Sequence, residues 1–230
     1  MNTPPIAIDG PAASGKSTIA RMVAERLGGI CVSTGDMYRA LTWEALRRDI
    51  DPEKKPEEVA AMLPSCTLSV RPTGGVGSIP ELNGEPVSDD VLHTPAIASQ
   101  VSYVARIPQV RSWLVERQRE TVALGLVVME GRDIGTVIFP DTPHKFFLTA
   151  TPEVRARRRL AQGGDTLDSD TVEAVAARIA ERDRIDSTRA VSPLRPAEDA
   201  RVIDSSDLAP EEVTDIVVRA VAEHASGRDT

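Results

Sequence analysis

The stretch "IAIDGPAASGKST", residues 6–18, decides the fold. Ile6–Asp9 is an apolar run that reads as a buried strand. Lys16–Leu27, with Ile19, Val23 and Leu27 at helical spacing, reads as an amphipathic helix stopped by Gly28-Gly29. Between them, Gly10-Pro11-Ala12-Ala13-Ser14-Gly15-Lys16-Ser17 fits GxxxxGK(S/T), in the strand-loop-helix setting that the pattern requires. In such a loop, successive N–H groups at a helix N-terminus surround phosphate oxygens. Lys16 is then expected to reach the β and γ phosphates, and the Ser17 hydroxyl to coordinate Mg²⁺. Gly10 through Thr18 therefore form the expected binding set for a nucleoside triphosphate.

The same rhythm continues outward from the loop. Gly29–Ser33, Gly125–Glu130, Lys145–Leu148 and Arg201–Asp204 read as further strands. Met37–Arg48, Val154–Gln162 and Pro210–Ala225 read as helices, the second opened by a Thr151 hydroxyl cap and Pro152. Near-continuous apolar strands alternating with helices predict an α/β fold, a parallel sheet with helices on both faces. From Cys66 to Val91 the rhythm breaks. Leu68–Arg71, Ser78–Leu82 and Glu85–Val87, punctuated by glycines and the Asn83-Gly84 hairpin pair, predict a small antiparallel β insertion. Helices over 95–104 and 108–124 lead back to the sheet.

Composition limits the function. The 230 residues, 41% hydrophobic, suffice for one core with an insertion. A net charge of −8 argues against nucleic acid or an acidic membrane surface as partner. No run is apolar enough to span a membrane, and no leader precedes Asp9, so we expect a cytoplasmic protein. Cys31 and Cys66 lack any CxxC spacing and read as buried, reduced thiols.

Holding a triphosphate does not say where the phosphoryl group goes. None of the four lysines sits in an NKxD guanine motif, which disfavours a GTPase switch. A kinase needs a second anion site facing the loop, and arginines supply candidates. Arg39 lies early in the second helix, and Arg132 follows the third strand; both are near strand carboxyl ends, where ligands of doubly wound sheets bind. In "AARIAERDRIDSTRAVSPL", Arg178, Arg182, Asp186 and Arg189 share a helical face, so a carboxylate sits among guanidiniums; a solvated salt-bridge ladder is the plain alternative. The cluster Arg155, Arg157, Arg158 and Arg159 cannot all point one way, but one or two are placed to close over donor phosphates, with Gly163-Gly164 supplying flexibility. The three histidines are scattered and no general base is evident. That favours an acceptor whose oxygens are already ionised, a nucleoside monophosphate, over an alcohol, although Asp9, Asp36 or Asp133 would serve an alcohol.

Taken together, "IDGPAASGKST", "GDMYRAL", "VSYVARIPQVR", "EGRDIGTVIFPD", "ERDRIDSTRAVSPL" and "DSSDL" resemble the bacterial cytidylate kinases over nearly the whole chain. The resemblance implies the P-loop nucleoside monophosphate kinase fold. Its core would have five parallel strands (1–64 and 105–230), with a lid at about 154–170 and a nucleoside-monophosphate-binding insertion at 65–104. It also implies transfer of the γ-phosphoryl of MgATP to CMP or dCMP, and a monomer is expected. Position by position, Ser102, Arg111, Asp133 and Arg189 match contacts to the cytosine ring, Arg182 and Asp186 match contacts to the sugar, and Arg39 and Arg132 match acceptor-phosphate ligands. Lys16, Arg39, Arg132, Arg155 and Arg158 are the expected catalytic set.

The chain departs from the family pattern at Ser33, Asp36 and Glu130. Glu130 keeps the charge of the usual Asp on a longer side chain. Asp36 is expected to cap the second helix. A UMP or AMP kinase, a small-alcohol kinase, or a switch without transfer remain the alternative readings.

Overall fold

The computed structural model describes residues 4–162, 171–225 and 227. Five strands form one parallel sheet: β1 (Ile6–Asp9), β2 (Ile30–Ser33), β6 (Val127–Gly131), β7 (His144–Thr149) and β8 (Arg201–Asp204), in the order β2-β6-β1-β7-β8. A second, antiparallel sheet holds β3 (Leu68–Pro72), β4 (Ser78–Leu82) and β5 (Glu85–Pro86). The helices are α1 (Lys16–Leu27), α2 (Thr34–Arg47), α3 (Pro56–Met62), α4 (Asp89–Leu92), α5 (Pro95–Ala105), α6 (Pro108–Glu120), α7 (Pro152–Gln162), α8 (Val172–Thr188) and α9 (Pro210–Ala225).

The central strand explains the apolar runs. Ile6 and Ile8 of β1 pack with Phe146, Leu148 and the inner faces of α1 and α9, including Ile19, Val23, Val213 and Val217. Ala7 turns to the other face, among Val32, Met129, Ile134 and Ile138. Each buried Ile or Val contributes about 1.5–3 kcal/mol of transfer free energy, and no alternate residue has to be polar because both faces are covered. In register, Asp9 lies opposite Gly131 on β6 and Phe147 on β7. The phosphate loop and the Arg132 turn thus leave neighbouring strands at the same end of the sheet.

The antiparallel insertion shares its core with α2, α5 and α6. Leu68, Leu82, Val87 and Leu92 pack with Met37, Leu41, Val104 and Leu114. It also covers the β2 edge of the main sheet: Cys31 N–H donates to Val76 O at 2.7 Å, and Ser78 Oγ donates to Cys31 O at 2.7 Å. An exposed strand edge is thereby closed to pairing with another chain.

Several local expectations change. The second helix begins at Thr34 with Ser33 at its cap position, so Asp36 lies in the first turn and is not the cap. It instead pairs with His93 Nε2 at 3.4 Å. The helix expected over 108–124 ends at Glu120 and tightens into a 3₁₀ turn, Thr121–Leu124. Helix α8 stops at Thr188, and Arg189 is extended (φ −63°, ψ 143°), so helical spacing is not what brings Arg189 inward. Short helices α3 and α4 and a π-type turn, Ile134–Ile138, were not evident in the sequence pattern. Thr151 Oγ1 does accept from Val154 N–H, the expected cap of α7. The part of the expected lid beyond Gln162, with Gly163-Gly164, lies outside the described residues. Among the described residues no helix is long and apolar enough to cross a membrane. Cys31 and Cys66 are free and buried, and burial pushes the Cys31 thiol up to about 12.

Candidate active site

At the carboxyl end of β1 the chain turns so tightly that a Cβ on Gly10 would lie 2.1 Å from Leu148 O. Gly15, at φ 95°, occupies the left-handed cap of α1, a conformation that favours glycine. Between them Ala13 also takes a positive φ of 57°. This winding orders the loop's side chains. Ala13, Gly15, Lys16, Ser17 and Thr18 line a cleft of about 500 Å³, whereas the side chains of Ala12 and Ser14 are buried away from solvent. Lys16 Nζ folds back to Pro11 O at 2.7 Å. Burial, reinforced by the Arg132 and Arg182 charges, lowers the Lys16 pKa to about 7. A phosphate entering the cleft would meet a lysine whose charge it stabilises.

Opposite the loop, the cleft is walled by Arg39, Arg132, Arg159 and Arg182. Arg39 is buried, its Nη1 donating to Leu92 O at 3.0 Å, so the end of α4 fixes it. Ser17 Oγ donates to Glu130 Oε1 at 2.9 Å, bringing a hydroxyl and a carboxylate together beside the loop. Among the described residues no three His, Cys, Asp or Glu side chains gather into a metal-binding group.

Behind this cleft lies a second, smaller cavity of about 40 Å³. Ser102, Arg111, Asp133, Asp186 and Arg189 line it, and so do Arg132 and Arg182. Those last two arginines therefore face both spaces. The cavity is small, and the charged groups that line it pair with each other. Arg111 donates to Asp133 in a very short contact; Arg189 Nη2 lies 3.6 Å from Asp133 Oδ1, and its Nη1 lies 3.6 Å from Asp186 Oδ1. Arg132 Nε donates to Asp186 Oδ2 at 3.0 Å. Burial favours a neutral Asp186, but Arg132, Arg182 and Arg189 outweigh it and hold the carboxyl below its usual range. Burial, with Arg132 and Arg39 nearby, lowers Arg182 to about 9. Three polar atoms here are buried without a hydrogen-bond partner: Arg182 Nε, Arg111 Nε and Arg189 Nη2. Unsatisfied buried donors cost about 1–3 kcal/mol each and mark a place shaped for an acceptor-rich ligand.

The arginines expected to form a lid take separate positions. Arg155 does not reach the cleft; it is buried behind the loop, bonding Ala12 O at 3.1 Å, Ala150 O at 3.2 Å and Asp183. Arg158 bonds Ser205 O at 2.6 Å and Ser205 Oγ at 3.0 Å, its Nη1 lying 3.4 Å from Ser14 O. Arg157 is exposed and pairs with Glu153, leaving Arg159 as the α7 arginine on the cleft wall. Sequence reasoning missed Asp183, whose Oδ1 accepts the Ala12 N–H at 3.0 Å, and Tyr38, which lines the inner cavity with Arg111 stacked 5.5 Å from its ring. Both lay in quoted motifs, as the first Asp of "ERDRID" and the Tyr of "GDMYR".

A central β1 ending in a GxxxxGK(S/T) loop, in a five-stranded parallel sheet with an antiparallel insertion, defines the P-loop nucleoside monophosphate kinase fold. The sequence model of the cytidylate kinase family matches residues 6–223. The chain belongs to that family. It is 46% identical over 228 residues to the cytidylate kinase of Pelotomaculum thermopropionicum, covering 96% of this chain and 98% of the relative. It is 43% identical over 222 residues to that of Anoxybacillus flavithermus, covering 96% and 97%. With that of Bacillus cytotoxicus it shares 43% identity over 218 residues, covering 95% and 96%.

Proposed function

We propose that this chain transfers the γ-phosphoryl group of ATP to CMP or dCMP, giving ADP and CDP or dCDP. The observation that carries the reading is that Arg132 and Arg182 line both the phosphate-loop cleft and the cavity holding Ser102, Arg111, Asp133, Asp186 and Arg189. A donor held by Lys16 and an acceptor whose base lies among those residues would bring their phosphates together at the shared arginines. Phosphoryl transfer asks chiefly for positioning and charge neutralisation, which this arrangement offers. Arg39 and Arg132 would hold the acceptor phosphate. Arg111 and Asp133 offer donor and acceptor groups for a pyrimidine edge, and Asp186 an acceptor for sugar hydroxyls. Residues 65–104 would close over the acceptor, and one chain supplies every group, so we take the working unit to be a monomer.

Mg²⁺ fits the donor set. Ser17 and Glu130 bring hard oxygens beside the loop, and Mg²⁺ is ordinarily held by one or two protein oxygens with phosphates and water completing its shell. When bound, the ion would neutralise phosphate charge.

The three carboxylates that would serve an alcohol acceptor, Asp9, Asp36 and Asp133, are engaged, which weighs against that acceptor. Asp9 accepts N–H bonds from Ile134 and Gly135 at 2.8 Å each, Asp36 faces His93, and Asp133 is held by Arg111 and Arg189. An ionised phosphate acceptor needs none of them as a base. The test is a coupled assay of ADP release with CMP, dCMP, UMP, AMP or no acceptor. Stimulation by CMP and dCMP is expected; equal release without acceptor would overturn the reading.

A further inference from the structure

We infer that Asp183 and Arg155 are positioning residues that clamp Ala12 of the phosphate loop by its N–H and its C=O, so that α8 sets the geometry of the donor site. The inference rests on the phosphotransferase reading above and extends it to residues that do not themselves face the cleft.

The clamp is a closed triangle. Asp183 Oδ1 accepts the Ala12 N–H at 3.0 Å, Arg155 Nη1 donates to Ala12 O at 3.1 Å, and the same Nη1 donates to Asp183 Oδ2. Arg155 Nε, donating to Ala150 O at 3.2 Å, ties the triangle to the start of α7. Since the Ala12 N–H is used here, it is not offered to a nucleotide; Ala12 anchors the loop. The surrounding apolar contact is small: Ala12, Ala156, Val175 and Ile179. The two charged side chains are 17% and 9% exposed. An ion pair so far from water gains little net stability, because desolvation offsets the attraction. What it does supply is a fixed direction for the two peptide units that flank the Ala12 Cα.

Helix geometry gives that direction a function. Arg182 and Asp186, four residues apart, lie on one face of α8 and line the acceptor cavity, while Asp183 is one residue on and turned by about 100° toward the loop. A single helix thus carries acceptor-facing groups on one side and the loop anchor on the next. The position of the loop relative to the acceptor cavity is thus tied to α8, and a shift of the loop by about 1 Å is enough to cost roughly a hundredfold in rate.

The test is a double-mutant cycle of Asp183→Ala and Arg155→Ala, reading kcat, the KM for each substrate and the Kd for ATP alone. Each single variant is expected to weaken ATP binding or kcat/KM for ATP by about ten- to a hundredfold, with the KM for CMP changed less than about threefold. The double variant should be no worse than the worse single, because either change opens the triangle. Additive losses, or an Arg155→Ala defect confined to kcat while Asp183→Ala keeps wild-type ATP binding, would overturn the proposal and return Arg155 to direct phosphate contact. Should either alanine variant fail to fold, Asp183→Asn keeps the Ala12 bond and places an amide against the guanidinium; wild-type kinetics in that variant would equally overturn the clamp. The Kd for ATP is independent of the acceptor. A wild-type protein with no CMP-dependent turnover would refute the assigned reaction while leaving the clamp measurable.

Discussion

Arg132→Ala removes the group at which the two halves of the site meet. Its Nε is bonded to Asp186 at 3.0 Å and its Nη1 lies 3.4 Å from Gly131 O, with 17% of the side chain exposed toward the cleft. Loss of one preorganised charged donor costs about 2–4 kcal/mol of transition-state stabilisation, which is roughly a 30- to 900-fold fall in kcat. The structural cost should be smaller. Asp186 keeps Arg189 at 3.6 Å and the charge of Arg182, so its carboxylate is not stranded, and the loss should fall below the roughly 3–5 kcal/mol typical of breaking a lone buried pair. The measurement is kcat and KM by coupled ADP release, with thermal unfolding of the same variant. Arg132→Lys should fall between, because one ammonium cannot serve Asp186 and a phosphate with the fixed fork of a guanidinium. A kcat for Arg132→Ala within about threefold of wild type, in a protein that melts normally, would refute the role.

Two further perturbations probe the loop's surroundings. Glu130→Gln weakens the acceptor for the Ser17 hydroxyl, so the Mg²⁺ concentration for half-maximal activity should rise by about 10- to 100-fold while the KM for CMP changes little; an unchanged Mg²⁺ dependence would count against Ser17 and Glu130 as the ion's neighbours. Burial raises the Asp9 pKa to about 7, against the opposing pull of the Gly135 and Ile134 N–H groups. Between about pH 4 and 7 the folded chain then holds a proton that the unfolded chain has released, so this contribution to stability is present below that window and is lost as pH rises through it. The melting temperature of the wild type minus that of Asp9→Asn should accordingly fall from pH 5 to pH 7.5, and parallel pH profiles would show that Asp9 does not titrate there.

How far the site was legible depends on how local each part is in the chain. The donor loop is contiguous, and its strand, turn and helix signals agree; the glycines at 10 and 15 are dictated by a close approach and a left-handed φ that few other residues allow. The proposed acceptor side draws on residues from Arg39 to Arg189, and sequence alone offered arginines near strand ends, one charged helical face and the family pattern. Helix periodicity placed Arg182 and Asp186 correctly on one face but carried Arg189 along a helix that ends before it. The α7 arginines show the limit most clearly. Four guanidiniums in five residues look interchangeable until packing decides which way the helix faces. Ala156 turns in against Val175 and Ile179, which sends Arg157 out to solvent, Arg159 to the cleft and Arg155 under the loop. A charge cluster therefore reads as lid chemistry in sequence, whereas the small apolar residue inside it determines which charge faces the cleft and which one lies under the loop.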